Sequence, residues 1–166
     1  MKLFVQADFP VDPPKCWEVF ESEAFQQRLQ REANITFEVL EDAMEGVVHV
    51  RRQRVEPRRE LPGFVARLLG GSKLSYVQDS RLDTETQTMD WRVTLDLMPD
   101  RVDVSGRTRV VPLPQGGCRR VVDGDIRVRV RLVGSRIETA VVEQFEASMA
   151  RANTIARDLM REWVDL

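Results

Sequence analysis

The stretch RIETAVVEQFEASMARANTIARDLMREWVDL, residues 136 to 166, decides the fold. It contains neither Pro nor Gly. Ile137, Val141, Phe145, Met149, Ala152, Ile155, Leu159 and Trp163 recur in it at helical spacing. The pattern predicts one amphipathic helix, about 45 Å long at ~1.5 Å per residue. A helix with one broad apolar stripe must bury that stripe against something.

The segments upstream supply the partner, because they alternate with a period of two. In Gln87 to Leu97, the residues Gln87, Met89, Trp91, Val93, Leu95 and Leu97 share one face, against Thr88, Asp90, Arg92, Thr94 and Asp96 on the other. This marks an antiparallel sheet, apolar on one side and wet on the other. Val102, Val104, Gly106, Thr108 and Val110 form a second inner face. Ile126, Val128, Val130 and Leu132 form a third, alternating with Asp125, Arg127, Arg129 and Arg131. Further strands are expected over Lys2 to Phe9, Ile35 to Leu40, Val47 to Val55 and Lys73 to Leu82. The acidic run Glu41 to Gly46 reads as the turn between two of them.

Two short helices follow the first strand. Asp12 is placed as an N-cap with Pro13 at the first helical position, ahead of Trp17, Val19 and Phe20. Glu23 to Glu32 carries Phe25 and Leu29 one turn apart. Arg58 to Gly71 breaks the strand rhythm and reads as a short helix or lid between hinges. The expected order is strand, two helices, six strands and a long helix. A single helix can cross the apolar face of a seven-stranded sheet but cannot fill it, so a curved sheet would leave an internal space.

Composition bounds the alternatives. The 166 residues suit one domain, 42% hydrophobic and 31% charged. A domain of this size buries roughly 70% of its unfolded surface and needs no covalent staples. With 25 basic and 27 acidic residues the net charge is −2, which gives no reason to expect a nucleic-acid partner. Arg107, Arg109, Arg127, Arg129 and Arg131 lack interleaved aromatics and read as outer-face partners of Asp96 and Asp103. Cys16 and Cys118 have no metal or redox spacing, and free thiols are expected. The N-terminus has no signal-peptide core, and no apolar run reaches ~20 residues. The default location is the cytoplasm. Nothing in the sequence signals an oligomeric state.

Three stretches carry a resemblance. They are Phe4 to Phe20, with Trp17-Glu18-Val19-Phe20; Leu61-Pro62-Gly63-Phe64 with Gly70-Gly71; and Asp123-Gly124-Asp125-Ile126 through Glu138. Together with the element order, they make the chain similar to the START-like (SRPBCC) superfamily, and more narrowly to an uncharacterised bacterial START-like family. The superfamily includes birch-pollen-allergen proteins, polyketide cyclases and START lipid-transfer domains. The resemblance implies an α+β helix-grip fold: a curved seven-stranded antiparallel sheet around a long C-terminal helix, with a cavity for an apolar ligand. It transfers no catalytic residue.

No catalytic, metal or cofactor motif stands out. His49, the single histidine, lies in a strand beside Arg51 and Arg52 and reads as structural. Ser72 has no evident activating base. The candidate ligand-binding set is Phe64, Leu68, Tyr76, Met89, Trp91, Val104, Thr108, Val128, Gln144, Phe145 and Ser148. Gln144 and Ser148, one turn apart on the flank of the helix stripe, either bond a ligand headgroup or face solvent. Tyr76 and Thr108 either meet a ligand or are satisfied core groups. Phe64, Val65 and Leu68 in the lid, with Arg58, Arg59 and Arg67 nearby, either suit ligand entry or transient contact with a membrane, or pack shut with the arginines solvated. The expectation is a carrier of a hydrophobic small molecule or lipid. A cyclase or dehydratase on a polyketide-like substrate and a ligand-free interaction module are the alternatives.

Overall fold

A computed structural model of the chain describes residues 1–58 and 60–164. It begins with β1 (Lys2–Phe9), α1 (Pro13–Glu21) and α2 (Glu23–Glu32). The Asp12 carboxylate accepts the Lys15 N–H at 3.1 Å and the Ser22 hydroxyl accepts the Phe25 N–H at 3.1 Å. Each short helix therefore has a side-chain cap on its otherwise unpaired first-turn donors. β2 (Ile35–Glu45), β3 (Val48–Pro57), α3 (Gly63–Leu69), β4 (Tyr76–Asp83), β5 (Thr88–Leu95), β6 (Val102–Pro112), β7 (Cys118–Val128) and α4 (Gly134–Val164) follow.

The strands form a seven-stranded antiparallel sheet in the order β1-β7-β6-β5-β4-β3-β2. Strand neighbours in sequence are neighbours in the sheet, except that β1 closes onto β7, pairing Lys2 with Asp125 and Phe9 with Cys118. α4 lies across the inner face and divides the core in two. Its first half, through Ile137, Val141 and Phe145, packs with α3 and with Val93, Val104 and Ile126 of the sheet. Its second half, through Ile155, Leu159 and Met160, packs with Trp17, Val19, Phe25 and Leu29 of α1 and α2. This is the helix-grip α+β architecture expected.

Three local expectations are corrected. Glu41 to Gly46 is not a turn: β2 runs to Glu45, and only Gly46 and Val47 connect the strands, with Gly46 at φ +63°. The acidic residues suit this edge strand because Arg51 and Arg81 pair with Asp42 and Glu45 at 3.1 and 3.2 Å. The last strand stops at Val128, where its N–H donates to the Glu138 carboxylate at 2.9 Å. Val130 and Leu132 consequently fall in a loop, and Leu132 is 99% exposed at φ +71° instead of facing inward. Asp96 pairs with Arg54 of β3 and not with a last-strand arginine, whereas Asp103 does meet Arg129. Arg59 of the lid and the last two residues of the expected C-terminal helix lie outside the described residues.

Candidate internal cavity

Between the two halves of the core lies a partly open cavity of about 200 Å³. Side-chain parity on the strands builds its floor. Inward positions on β3 to β5 supply Gln53, Val55, Tyr76, Gln78, Met89, Trp91 and Val93, and those on β6 and β7 supply Thr108, Arg120 and Val122. Trp17, Phe20, Glu21, Phe25 and Leu29 of α1 and α2 form one wall, with Ile35 and Phe37 of β2. Phe145, Ser148, Met149 and Ala152 of α4 form the roof. An apolar and aromatic lining with a few polar groups is the usual make-up of a small-molecule site.

Trp91 is fixed by its neighbours. It stands opposite Gly106, which stands opposite Gly124. A Cβ on Gly106 would lie 2.5 Å from the indole Cζ2, and one on Gly124 would lie 2.8 Å from Cη2. The ring thus lies over both glycines, which is where a close approach requires glycine. The indole N–H donates to the Thr108 hydroxyl at 3.1 Å, satisfying two buried polar groups at once. Tyr76 packs its ring against Phe145 at 5.4 Å, and burial pushes its phenol well above the ordinary tyrosine value.

The polar part of the lining gathers near α1. Arg51 reaches Glu21 at 3.3 Å and Asp42 at 3.1 Å, and His49 also lies between these two carboxylates. The His49 hydrogen bond and the Arg51 charge hold the Asp42 carboxyl below the usual range, against the opposing effect of burial. Arg120 differs. Its guanidinium lies 4.2 Å from the Phe20 ring centroid, and no carboxylate comes within ion-pair distance among the described residues. Burial lowers its basicity, to a pKa of about 10.

Five buried side-chain polar atoms lack a hydrogen-bond partner among the described residues. Four of them, Trp17 Nε1, Glu21 Oε2, Gln53 Nε2 and Arg120 Nε, belong to residues that line this cavity. Glu21 Oε2 is close to Arg51 and His49, but its contacts are ionic and lack hydrogen-bond alignment. A larger depression, about 720 Å³, lies on the outer sheet face, where Arg107–Asp90 and Arg52–Asp79 already pair. It is open to solvent and lined largely by charged side chains, so the smaller, apolar-lined internal space is the better site for an apolar guest. No group of three His, Cys, Asp or Glu side chains is placed to hold a metal ion among the described residues.

Of the residues singled out from sequence, Tyr76, Met89, Trp91, Thr108, Phe145 and Ser148 come together in the lining. Val104 and Val128 are buried in the α3 half of the core, outside it. Gln144 is half-buried on α4 and does not line the space. Phe64 and Leu68 sit on α3, also outside it: Leu68 packs on the core, and Phe64 is 43% exposed beneath the Arg136 guanidinium at 5.2 Å. Sequence reading missed Trp17, Phe20, Glu21, Arg51, Gln53 and Arg120 as lining. Parity was the available signal, since Arg120 is an even step from Ile126, and Arg51 and Gln53 are even steps from Val55.

Comparison with solved structures gives the same architecture. A START superfamily protein from Mycobacterium smegmatis matches with a TM-score of 0.62 at 14% identity, over 95% of this chain and 98% of that one. Norcoclaurine synthase from Thalictrum flavum matches with a TM-score of 0.64 at 15% identity, over 96% of this chain and 86% of that one. The Zhui aromatase/cyclase from a Streptomyces species matches with a TM-score of 0.58 at 15% identity, over 95% of this chain and 89% of that one. At such identities the likeness establishes a START-like fold and does not carry an activity across. No curated protein matches by sequence. Residues 5–164 match the model of the family described as "Protein of unknown function (DUF2505)", and the chain belongs to that family.

Proposed function

We propose that the protein binds a hydrophobic small molecule in the cavity beneath α4. The observation that carries this reading is the interior itself: two packed core halves leave about 200 Å³ between them, walled by Trp17, Phe20, Phe25, Trp91 and Phe145. A well-packed domain keeps few voids larger than a water molecule, so an aromatic-lined space of this size calls for an occupant. Burying the guest's apolar surface contributes roughly 25 cal/mol per Å² before ordering costs. The volume lies below the ~300–1,000 Å³ of pockets for drug-sized ligands, which favours a compact guest over a full phospholipid. The cavity borders α2 and β2 and not α3, so the reading requires no gate at Phe64. Two buried free thiols, Cys16 and Cys118, support a reducing compartment such as the cytoplasm. No helix among the described residues is long and apolar enough to cross a membrane.

The test is native mass spectrometry of protein purified from its source, with extraction of the bound material. A co-purifying apolar compound is expected in the wild type. Ala152→Phe, which fills the roof position, should fold and lose it. A wild-type protein that binds no apolar compound from the extract, and releases none on denaturation, would overturn the reading.

An enzymatic reading, a cyclase or dehydratase on a polyketide-like substrate, gains support from one observation. The Glu21 carboxylate lines the cavity with His49 at 3.3 Å, giving an acid–base pair beside an apolar space.

A further inference from the structure

We propose that the guest is a monoanion, a carboxylate on an apolar body, and that Arg120 receives the carboxylate. This inference rests on the cavity reading above and adds the ligand's chemical class. It follows from where the polar atoms in the lining are left without partners.

Arg120 is a half-buried cation on β7 whose Nε is fully buried. It projects inward between Val122 and Cys118, where strand parity would otherwise place an apolar residue. Its Nε has no acceptor among the described residues, the Phe20 ring stacks on the guanidinium, and Glu21 acts on it through charge without forming an ion pair. Drawing a charge partly out of water without a close counter-ion is costly, and a ligand that supplies the counter-charge offsets that cost. The nearby carboxylates are already engaged. Glu21 serves Arg51 and His49, and Asp42 serves the same two residues. Two further donors in the lining, the Gln53 amide Nε2 and the Trp17 indole Nε1, also lack acceptors. The lining therefore offers three unmatched donors, one of them charged, against one unmatched acceptor, Glu21 Oε2, which the Arg51 and His49 contacts partly neutralise. A carboxylate has four lone-pair positions and accepts from a guanidinium fork in bidentate fashion.

Size and charge narrow the class. About 200 Å³ is roughly seven times the ~30 Å³ share of a water molecule, which suits a short-chain or compact aromatic acid. Glu21 lies near enough to raise the basicity of Arg120 through its charge, and that same charge repels a dianion such as a phosphate monoester. A single carboxylate is the anion that fits.

The test compares octanoate with 1-octanol, which share the chain and differ in the head, by isothermal titration against the wild-type protein and two variants. Octanoate should bind about tenfold to a hundredfold more tightly than octanol, the range expected for hydrogen bonds to a charged partner. In Arg120→Met that advantage should vanish. In Arg120→Lys, which keeps a charge and loses the fork, part of it should remain. Equal affinity of the two compounds for the wild type overturns this inference and leaves the apolar-carrier reading standing. An octanoate advantage that survives in Arg120→Met assigns the anion to another group and also overturns it. Failure of both compounds to bind the wild type also overturns this inference, and the carrier reading is then decided by the extraction experiment above.

Discussion

Gly106 shows how one missing side chain shapes the interior. Its place opposite Trp91 lets the indole lie flat over β6 and β7 and form the cavity floor. A Cβ there would also meet the Asp123 carbonyl oxygen at 2.4 Å, a backbone contact that cannot rotate away. Gly106→Ala is expected to cost about 1–3 kcal/mol through forced displacement of the ring and the neighbouring strand. A lowered urea midpoint with an unchanged slope, together with altered tryptophan emission, would verify this. A midpoint equal to that of the wild type would mean that Trp91 is not held as described. The inward face of Trp91 was legible in the sequence, because the Gln87 to Leu97 stretch alternates without interruption. The role of Arg120 was not. Parity with Ile126 turns it inward, but a charged residue departs from the apolar pattern from which the face is inferred, and nothing in the strand shows that no ion-pair partner meets it.

Among the elements, β2 departs most from its expected reading. Its acidic half looked like a turn because Glu and Asp are poor strand formers. In the structure, cross-strand arginines and a register shift between Val39 and Glu41 bring Asp42 into line with Arg51. An acidic sequence and an edge strand are compatible when the next strand is basic, a relation visible only when the two strands are read together as a hairpin. Asp42 also has a pH signature. Its folded carboxyl titrates below its unfolded value, so its contribution is present above about pH 4 and lost as pH falls through the folded value. Asp42→Asn should therefore be less stable than the wild type at pH 6–7, and the gap should close in strong acid. With the side chain 42% exposed, the gap is about 1 kcal/mol or less. Thermal melts at several pH values will show it, and a gap independent of pH would contradict the ion-pair account. α3 presents the opposite case: its existence and hinges were legible, but its place over the α4 N-terminal half was not, because the side of a sheet on which a lid settles is a tertiary choice.

At the scale of the whole molecule, the sheet order explains both the reliability of the helix-grip assignment and its limits. Six of the seven strands pair with sequence neighbours, so meander-like hairpins and one terminal helix suffice to infer the class. The division of the core into two halves with a space between them depends on how far α4 stands off the sheet, which no residue pattern encodes. The exception, β1 on β7, joins residues more than a hundred positions apart and raises the contact order of the fold. In pulsed hydrogen exchange during refolding, amides shared by β1 and β7 should gain protection after those of the β2–β3 hairpin. Simultaneous protection would show that the closing strand docks with the rest.

The same closure has a cost during synthesis. β1 leaves the ribosome before β7, and its mate emerges more than a hundred residues later, an interval of very roughly ten seconds at ~5–20 residues per second. Throughout that wait Trp17, Phe20 and Phe25 are tethered to a nascent chain with no surface to rest against. The residues that later form one wall of the cavity are therefore open to a chaperone well before their packing partners are made.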